Sequence, residues 1–463
     1  MNPNPASPTS RREFIKQTGT VAAVSALAGL VLPHVHAAES NLIQIALVGC
    51  GGRGTGAAVD ALSVKNGPVK LVAMADVFEA QLNRSFNSLK QALSADVDVP
   101  SERQFIGFDA YKKAMDALRP GDIVILATPP AFRWVHFSYA IEKGLNVFME
   151  KPVTVDGPTS KRMFVLADAA KAKNLKVGVG LMSRHSRALQ ELHQRIQDGE
   201  IGDLIYLRGY RMQGPVAFFA SVPKPPGISE LHYQIQRFHS FLWASGGCFS
   251  DFNIHIIDQV CWMKDAWPIR AEALGARHYR QSPDGIPYID QNLDVYAVEY
   301  TFADGSKFNF DGRCITGCQD VYSSAVHGSK GMAIVSKYGD CGMPSSTYKG
   351  QLPRRTNQLW ESRTKPEEQN PYHNEWVDLL DAIRNDKPYN EAKRGIEASL
   401  VTSMGRMAAH TGQAVTYEDI LDSDHEFAPG LDKITNDSPA PLQLAANGKY
   451  PVPQPGLTTK REY

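Results

Sequence analysis

The segment Ile45-Ala46-Leu47-Val48-Gly49-Cys50-Gly51-Gly52-Arg53-Gly54 limits what this chain can fold into more than any other. A short apolar run enters G-x-G-x-x-G, and a helix-patterned stretch, Gly54–Val64, follows it. The glycines have separate tasks. Gly49 permits a tight turn, Gly51 lets the backbone approach a pyrophosphate, and Gly54 allows a helix to pack close to its strand. With Gly52 and Arg53 they form a loop whose following helix aims its N–H groups at phosphate oxygens. Taken alone, such a glycine pattern is usually only a turn. Here a second apolar run leads to Asp76, 22 residues past Gly54, where a carboxylate holds the ribose hydroxyls of an adenosine. The expected ligand is therefore a dinucleotide. Asp76 repels a 2′-phosphate and Val77-Phe78 offer no cation, which favours NAD over NADP; Arg84 is the one nearby side chain that could reverse this.

The rest of the first half repeats the pattern. Ile43–Val48, Val69–Ala75, Ile123–Ala127, Asn146–Met149 and Val177–Leu181 lack polar alternation, as parallel strands covered on both faces do. Between them, Gly54–Val64, Phe78–Leu93, Phe132–Lys143 and Ser160–Lys173 have helical spacing. This alternation predicts an α/β fold with a doubly wound parallel sheet of the Rossmann type over residues 41–182. Beyond Leu204 the periodicity changes. Leu204–Met212, Ile269–Tyr279, Val295–Phe302 and Lys307–Cys314 alternate apolar with polar residues, and Ala303-Asp304-Gly305 reads as a hairpin turn. Two helices follow, Asn374–Asn385 and Gly395–His410. Residues 183–420 are thus expected to form an α+β domain with an open, mostly antiparallel sheet. Residues 421–463 read as a C-terminal Pro-rich extension whose tail, from about Pro439, is surface-running or loose.

The front of the chain has a different character. Ser10-Arg11-Arg12-Glu13-Phe14-Ile15-Lys16 precedes an Ala-rich apolar segment, Thr18–Leu32, and then Val35-His36-Ala37. A charged region, a short apolar region and a small-residue cleavage site, in that order, predict a signal peptide over residues 1–37. The paired arginines resemble the twin-arginine signal, whose machinery exports proteins already folded, so a periplasmic location is expected. An uncleaved anchor or a chance arginine pair is the alternative. Across all 463 residues, 49 basic side chains balance 49 acidic ones. Removing the leader takes away Arg11, Arg12, Lys16 and Glu13, and the balance survives. A neutral chain of this kind argues against nucleic-acid partners and against a polybasic membrane surface. The six cysteines include no CxxC pair, so neither a zinc ribbon nor a thioredoxin motif is available.

Ligands of doubly wound sheets bind beyond the carboxyl ends of the strands. Two segments end strands there: Thr128-Pro129-Pro130 and Glu150-Lys151-Pro152. Glu-Lys-Pro alone is most often a solvated turn, but its position makes Lys151 a catalytic candidate. A second candidate is Gly246–Asp258. On a helix, Asp251, His255 and Asp258 fall on one side, while Phe249, Phe252, Ile256, Val260 and Met263 form an anchoring face. Asp251 and His255 are four residues apart, close enough for a carboxylate to orient an imidazole. A helix that merely turns polar residues to solvent fits the same spacing. A metal site would need a third ligand, and neither His232 nor His239 supplies one at suitable spacing, so no metal is expected.

Taken together, Gly49–Gly54, Ala127-Thr128-Pro129, Glu150-Lys151-Pro152 and Asp251-x-x-x-His255 with Asp258 resemble the glucose–fructose oxidoreductase / inositol dehydrogenase / MocA family. The resemblance spans residues 41–420. It implies a nicotinamide cofactor, hydride transfer at a sugar or polyol carbon, homo-oligomers built on the open sheet, and Lys151, Asp251 and His255 as catalytic groups. Glu150 would position Lys151 and the cofactor, and Arg184 and His185 would touch cofactor or substrate. Asn253 stands where the family commonly has glycine. The segment Pro215–Trp243, rich in proline, aromatic residues and histidine, is a long elaboration. It is either a structural arm or a sugar-binding wall that includes His239 and Trp243. An exported NAD enzyme must keep and recycle its cofactor. Three outcomes fit: oxidation of a sugar or glycoside (at C3, for example), sugar-to-sugar transfer, or redox-neutral glycoside cleavage. A secreted sugar-binding protein without catalysis is the non-enzymatic alternative.

Overall fold

The computed structural model describes residues 41–278, 280–339 and 344–463. The expected leader, residues 1–37, lies outside them. Six strands form the first sheet: β1 (Ile43–Val48), β2 (Val69–Asp76), β3 (Gln104–Ile106), β4 (Ile123–Leu126), β5 (Asn146–Met149) and β6 (Val177–Val179). Their order is β3-β2-β1-β4-β5-β6, and every neighbouring pair is parallel. β4 and β5 are buried at every position because helices cover both faces of the sheet. Ile43, Leu47, Ile125 and Phe148 meet Trp376 and Leu380 on one face, while Val48, Val124 and Val147 meet Phe137, Ile141 and Met163 on the other. Strand order reverses between β1 and β4. That crevice is where a doubly wound sheet takes a ligand.

The second sheet has nine strands. They are β7 (Leu204–Gln213), β8 (Arg270–Ala276), β9 (Val295–Thr301), β10 (Lys307–Cys314), β11 (Val321–Gly328), β12 (Gly331–Ser336), β13 (Ser346–Lys349), β14 (Gln358–Glu361) and β15 (Val415–Thr416). The order is β14-β13-β12-β11-β7-β10-β9-β8-β15. Only β7 with β10 is a parallel pair, so the sheet is mixed, though mostly antiparallel as expected. β9 and the body of β10 alternate buried with half-exposed residues, because helices Gly247–Lys264 and Ala392–Thr411 cover only one face.

The C-terminal extension departs from expectation. It is docked rather than loose. Ala440, Leu442 and Tyr450 are buried, and Glu462 enters the protein interior. There its carboxylate takes Nε and Nη2 of Arg406, both at 2.8 Å, and stands 2.7 Å from His410 Nδ1. Arg406 has no exposed surface on its helix, and a buried guanidinium needs a counter-charge. A tail residue 56 positions away supplies it.

Candidate active site

A cleft of about 1220 Å³ opens beyond the carboxyl ends of β1, β4 and β5. A single drug-sized ligand needs roughly 300–1,000 Å³, so there is room for a dinucleotide and a second small molecule. At one end stands the glycine loop. Gly49 has φ +97°, and a Cβ there would come within 2.7 Å of the Ala127–Thr128 backbone, so β1 and β4 meet only through a glycine. A Cβ on Gly54 would stand 2.0 Å from the Gly49 carbonyl oxygen. Gly51 and Gly52 differ: a Cβ on either meets nothing within 4 Å, leaving an open cradle at the N-terminus of helix Gly52–Ser63. At the end of β2, Asp76 accepts N–H bonds from Cys50 (2.6 Å) and Phe78 (2.8 Å), which aim its carboxylate. Burial pushes its pKa up, against those bonds. Arg84 lines the cleft, and its Nη1 bonds Gln81 at 3.1 Å. The cradle and the carboxylate fit the pyrophosphate and ribose of NAD.

Arg53 lines the cleft beside that cradle. It pairs with Glu150 at 2.7 Å and Asp60 at 3.3 Å and lies over the Tyr372 ring, and these carboxylates help hold its pKa above the usual value against burial. Glu150 is thereby fixed beside Gly180 and immediately before Lys151. Thr128 and Pro129 line the crevice from the end of β4. Beneath them buried Arg133 donates to the carbonyls of Leu126 and Thr128 and fixes the turn.

The other end of the cleft gathers Lys151, Asp251, His255, His239, Arg211, Phe218, Phe238 and Phe252. Lys151 Nζ donates to the Asp251 carbonyl at 2.8 Å and lies 3.5 Å from its Oδ2. Burial would raise the Asp251 pKa, but the Lys151 ammonium and the hydrogen bond from His239 hold it well below the usual carboxylate range. His255 shows the opposite balance. Burial, then the Lys151 and Arg211 cations, push its imidazole well below the ordinary value, and Asp251 does not offset them. It is therefore a neutral imidazole. Its Nδ1 is buried without a hydrogen-bond partner among the described residues.

That last point corrects the helix-register expectation. Asp251 does not hydrogen-bond His255 four residues on; its Oδ2 is held by His239 Nε2 at 3.1 Å. Other expected contacts fall elsewhere. Asp258 is buried against Arg184 (Nη2 to Oδ1, 2.7 Å) and neither lines the cleft. His185 sits between Asp378 (2.7 Å) and Glu391 (3.2 Å), whose charges raise its pKa to about 10 against burial, and it too stands off the cleft. Trp243 is fully buried, with its Nε1 donating to Gln234 Oε1 at 2.7 Å; it is core, not wall. Phe252 makes the reverse move, from the expected core face into the cleft. Sequence reasoning missed Arg211, which β7 delivers between the Phe252 and Tyr322 rings, and Leu431–Thr435 of the tail, which close one wall. Neither carries a motif. Among the described residues no group of three His, Cys, Asp or Glu side chains is placed to hold a metal.

Fold and cradle define an NAD-binding Rossmann oxidoreductase, and sequence comparison gives the family. Residues 43–181 match the oxidoreductase family with an NAD-binding Rossmann fold, and residues 189–334 match the GFO/IDH/MocA C-terminal domain. Together these span more than half of the chain, which belongs to the Gfo/Idh/MocA family. It is 33% identical over 152 residues to scyllo-inositol 2-dehydrogenase (NAD(+)) of Bacillus subtilis, covering 32% of this chain and 36% of that one. It is 26% identical over 234 residues to levoglucosan dehydrogenase of Pseudarthrobacter phenanthrenivorans, covering 47% and 55%. The matched region thus spans about a third of the inositol dehydrogenase and about half of the levoglucosan enzyme. A solved levoglucosan dehydrogenase, in complex with NADH and levoglucosan, shares the fold with a TM-score of 0.61 at 16% identity, over 81% of this chain and 99% of that one. Myo-inositol 2-dehydrogenase from Lactobacillus plantarum shares it at 0.58, with 21% identity over 81% and 99%.

Proposed function

We propose that this protein oxidises a secondary alcohol of a sugar or glycoside, using NAD that it keeps bound. The observation that carries this reading is one continuous cleft, with an open glycine cradle at one end and Lys151, Asp251 and His255 gathered at the other. When bound, the nicotinamide supplies the hydride acceptor. The chain's own groups supply the rest. Neutral His255 accepts the proton of the alcohol. Lys151 hydrogen-bonds the same oxygen and stabilises the charge that develops on it, while Asp251 keeps the ammonium in place. The half-buried rings of Phe218, Phe238 and Phe252 offer flat apolar faces to a pyranose or cyclitol ring.

Retention of the cofactor has its own structural support. The 215–243 segment crosses the adenosine end of the cleft, where His232 stands edge-on to Phe78 and Phe108 at 5.8 and 5.6 Å. The tail fastens that segment: Gln234 Nε2 donates to the Leu442 carbonyl at 2.8 Å, and Tyr450 donates to Glu230. A dinucleotide beneath it leaves only when the arm lifts. This suits export of the folded protein through the twin-arginine pathway to a periplasm, which the Arg11-Arg12 segment suggests. Self-association through the open sheet, where Leu274 and Ile205 are exposed, completes the reading. The test is to desalt the purified protein extensively, denature it and assay the supernatant for NAD. Near-stoichiometric release is expected. No release, together with no binding of added NAD, overturns the proposal.

A further inference from the structure

Helix register offers Asp251 to His255, yet the structure gives the carboxylate to a different histidine. We propose that His239 is a positioning residue for this reaction: acting through Asp251, it fixes the Lys151 ammonium at the alcohol oxygen. The inference rests on the oxidoreductase reading of the site and extends it from three side chains to a fourth, which comes from the arm.

The geometry is specific. Asp251 Oδ2 lies 3.1 Å from His239 Nε2 and 3.5 Å from Lys151 Nζ, so one oxygen serves two donors. Both side chains of the His239–Asp251 pair are 9% exposed. His239 Nδ1 is buried and has no hydrogen-bond partner among the described residues. The form these surroundings accept carries its proton on Nε2 and donates it to the carboxylate. The ring cannot swing away. Phe238 packs on it at 3.8 Å between centroids, Phe252 at 5.1 Å and Phe218 at 5.8 Å, while Asn292 Nδ2 holds its carbonyl at 3.0 Å.

Lys151 thus has two tethers, the Asp251 carbonyl and the Asp251 carboxylate, and only the second depends on His239. Loss of His239 should weaken Lys151 placement rather than abolish it. The other charged or titratable groups that face the pair are Arg211 from β7, Arg133 beneath the β4 turn, and His255 and Cys248 from the helix that carries Asp251. Lys151 and Arg211 remain as cations in any His239 variant, so Asp251 still ionises, but it does so with one supporting group fewer.

The test compares His239→Phe, which keeps the aromatic packing, with His239→Gln, which restores a donor. For the sugar that the native enzyme oxidises, His239→Phe should lower kcat about 10- to 100-fold, as expected for one buried hydrogen bond to a charged group. KM should change less than about 3-fold, since the sugar makes its own contacts. The acid limb of kcat should move to higher pH, and His239→Gln should recover a large part of the loss. Independently of turnover, protein labelled with ¹⁵N-histidine should show a downfield, slowly exchanging imidazole N–H from His239, distinct from those of the carboxylate-paired His185 and His410. That signal should be absent in both His239 variants and displaced in Asp251→Asn. Native kcat in His239→Phe overturns the proposal, and so does an N–H signal indifferent to Asp251→Asn. A kcat loss that glutamine does not relieve, with KM rising in parallel, assigns His239 to sugar binding and overturns it as well. If no sugar is oxidised by the native protein, the oxidoreductase reading fails, and the N–H signal still decides the His239–Asp251 link.

Discussion

Replacing Gly51 by alanine should weaken NAD binding while leaving the fold at least as stable as before. Gly51 has φ −70° and ψ −179°, values open to any residue, and an added Cβ meets no atom within 4 Å. The substitution therefore brings no strain, and reduced freedom of the unfolded chain favours it by about 0.4–1 kcal/mol. What the methyl would meet is the ligand. A methyl forced into a packed contact costs about 1–3 kcal/mol, or roughly 5- to 150-fold in Kd. Gly54→Ala should behave in the opposite way. Its Cβ would stand 2.0 Å from the Gly49 oxygen, so the helix must part from the loop and the melting temperature must fall. NADH binding followed by energy transfer from tryptophan, beside thermal denaturation without added cofactor, separates the two effects. If Gly51→Ala binds NADH like the native protein at unchanged Tm, the phosphates do not lie on this cradle. If its Tm drops instead, the cradle is not open.

The remaining predictions concern charge. Arg211→Met removes one of the three cations that depress His255, beside Lys151 and Arg53, so the imidazole should titrate nearer its ordinary value and the acid limb of kcat/KM should move to higher pH; an unmoved limb contradicts that coupling. His185, raised to about 10, contributes stability that is fully present below its ordinary value of 6.5 and is lost as pH rises toward 10. Urea denaturation between those limits should show this decline, and His185→Gln should flatten it; a variant with the native slope refutes the assignment. Glu462→Gln leaves the buried Arg406 guanidinium without its paired carboxylate and should cost about 3–5 kcal/mol in urea denaturation. A loss under about 1 kcal/mol would show that the tail is not held as described.

Legibility in the sequence followed physical context. β1, β5 and β10 begin and end where their hydrophobic patterns do, because burial on two faces or strict alternation leaves a direct trace. β3 has only three residues and β13 and β14 four each, too few for a period to register. The glycine loop and Asp76 were readable because their chemistry is local to one strand–turn–helix unit. Arg184, His185 and Trp243 were not, because their partners decide their roles. Arg184 finds Asp258 74 positions away, and His185 finds Asp378 193 away. The same holds for Asp251. Helix register correctly put it near His255, but the partner that holds it comes from a short turn, Phe238–Ser240, on the arm.

The central claim is hydride transfer from a sugar alcohol to NAD at Lys151, and a single-turnover absorbance experiment tests it most directly. The NAD-loaded protein would be mixed with a panel of cyclic polyols, anhydrosugars, free sugars and aryl glycosides while the reduced-nicotinamide band is followed, with Lys151→Met run in parallel. At least one compound should raise that band in the native protein, and the rise should be at least ~10²-fold slower in the variant. No rise with any compound, or equal rates in the two proteins, would contradict it.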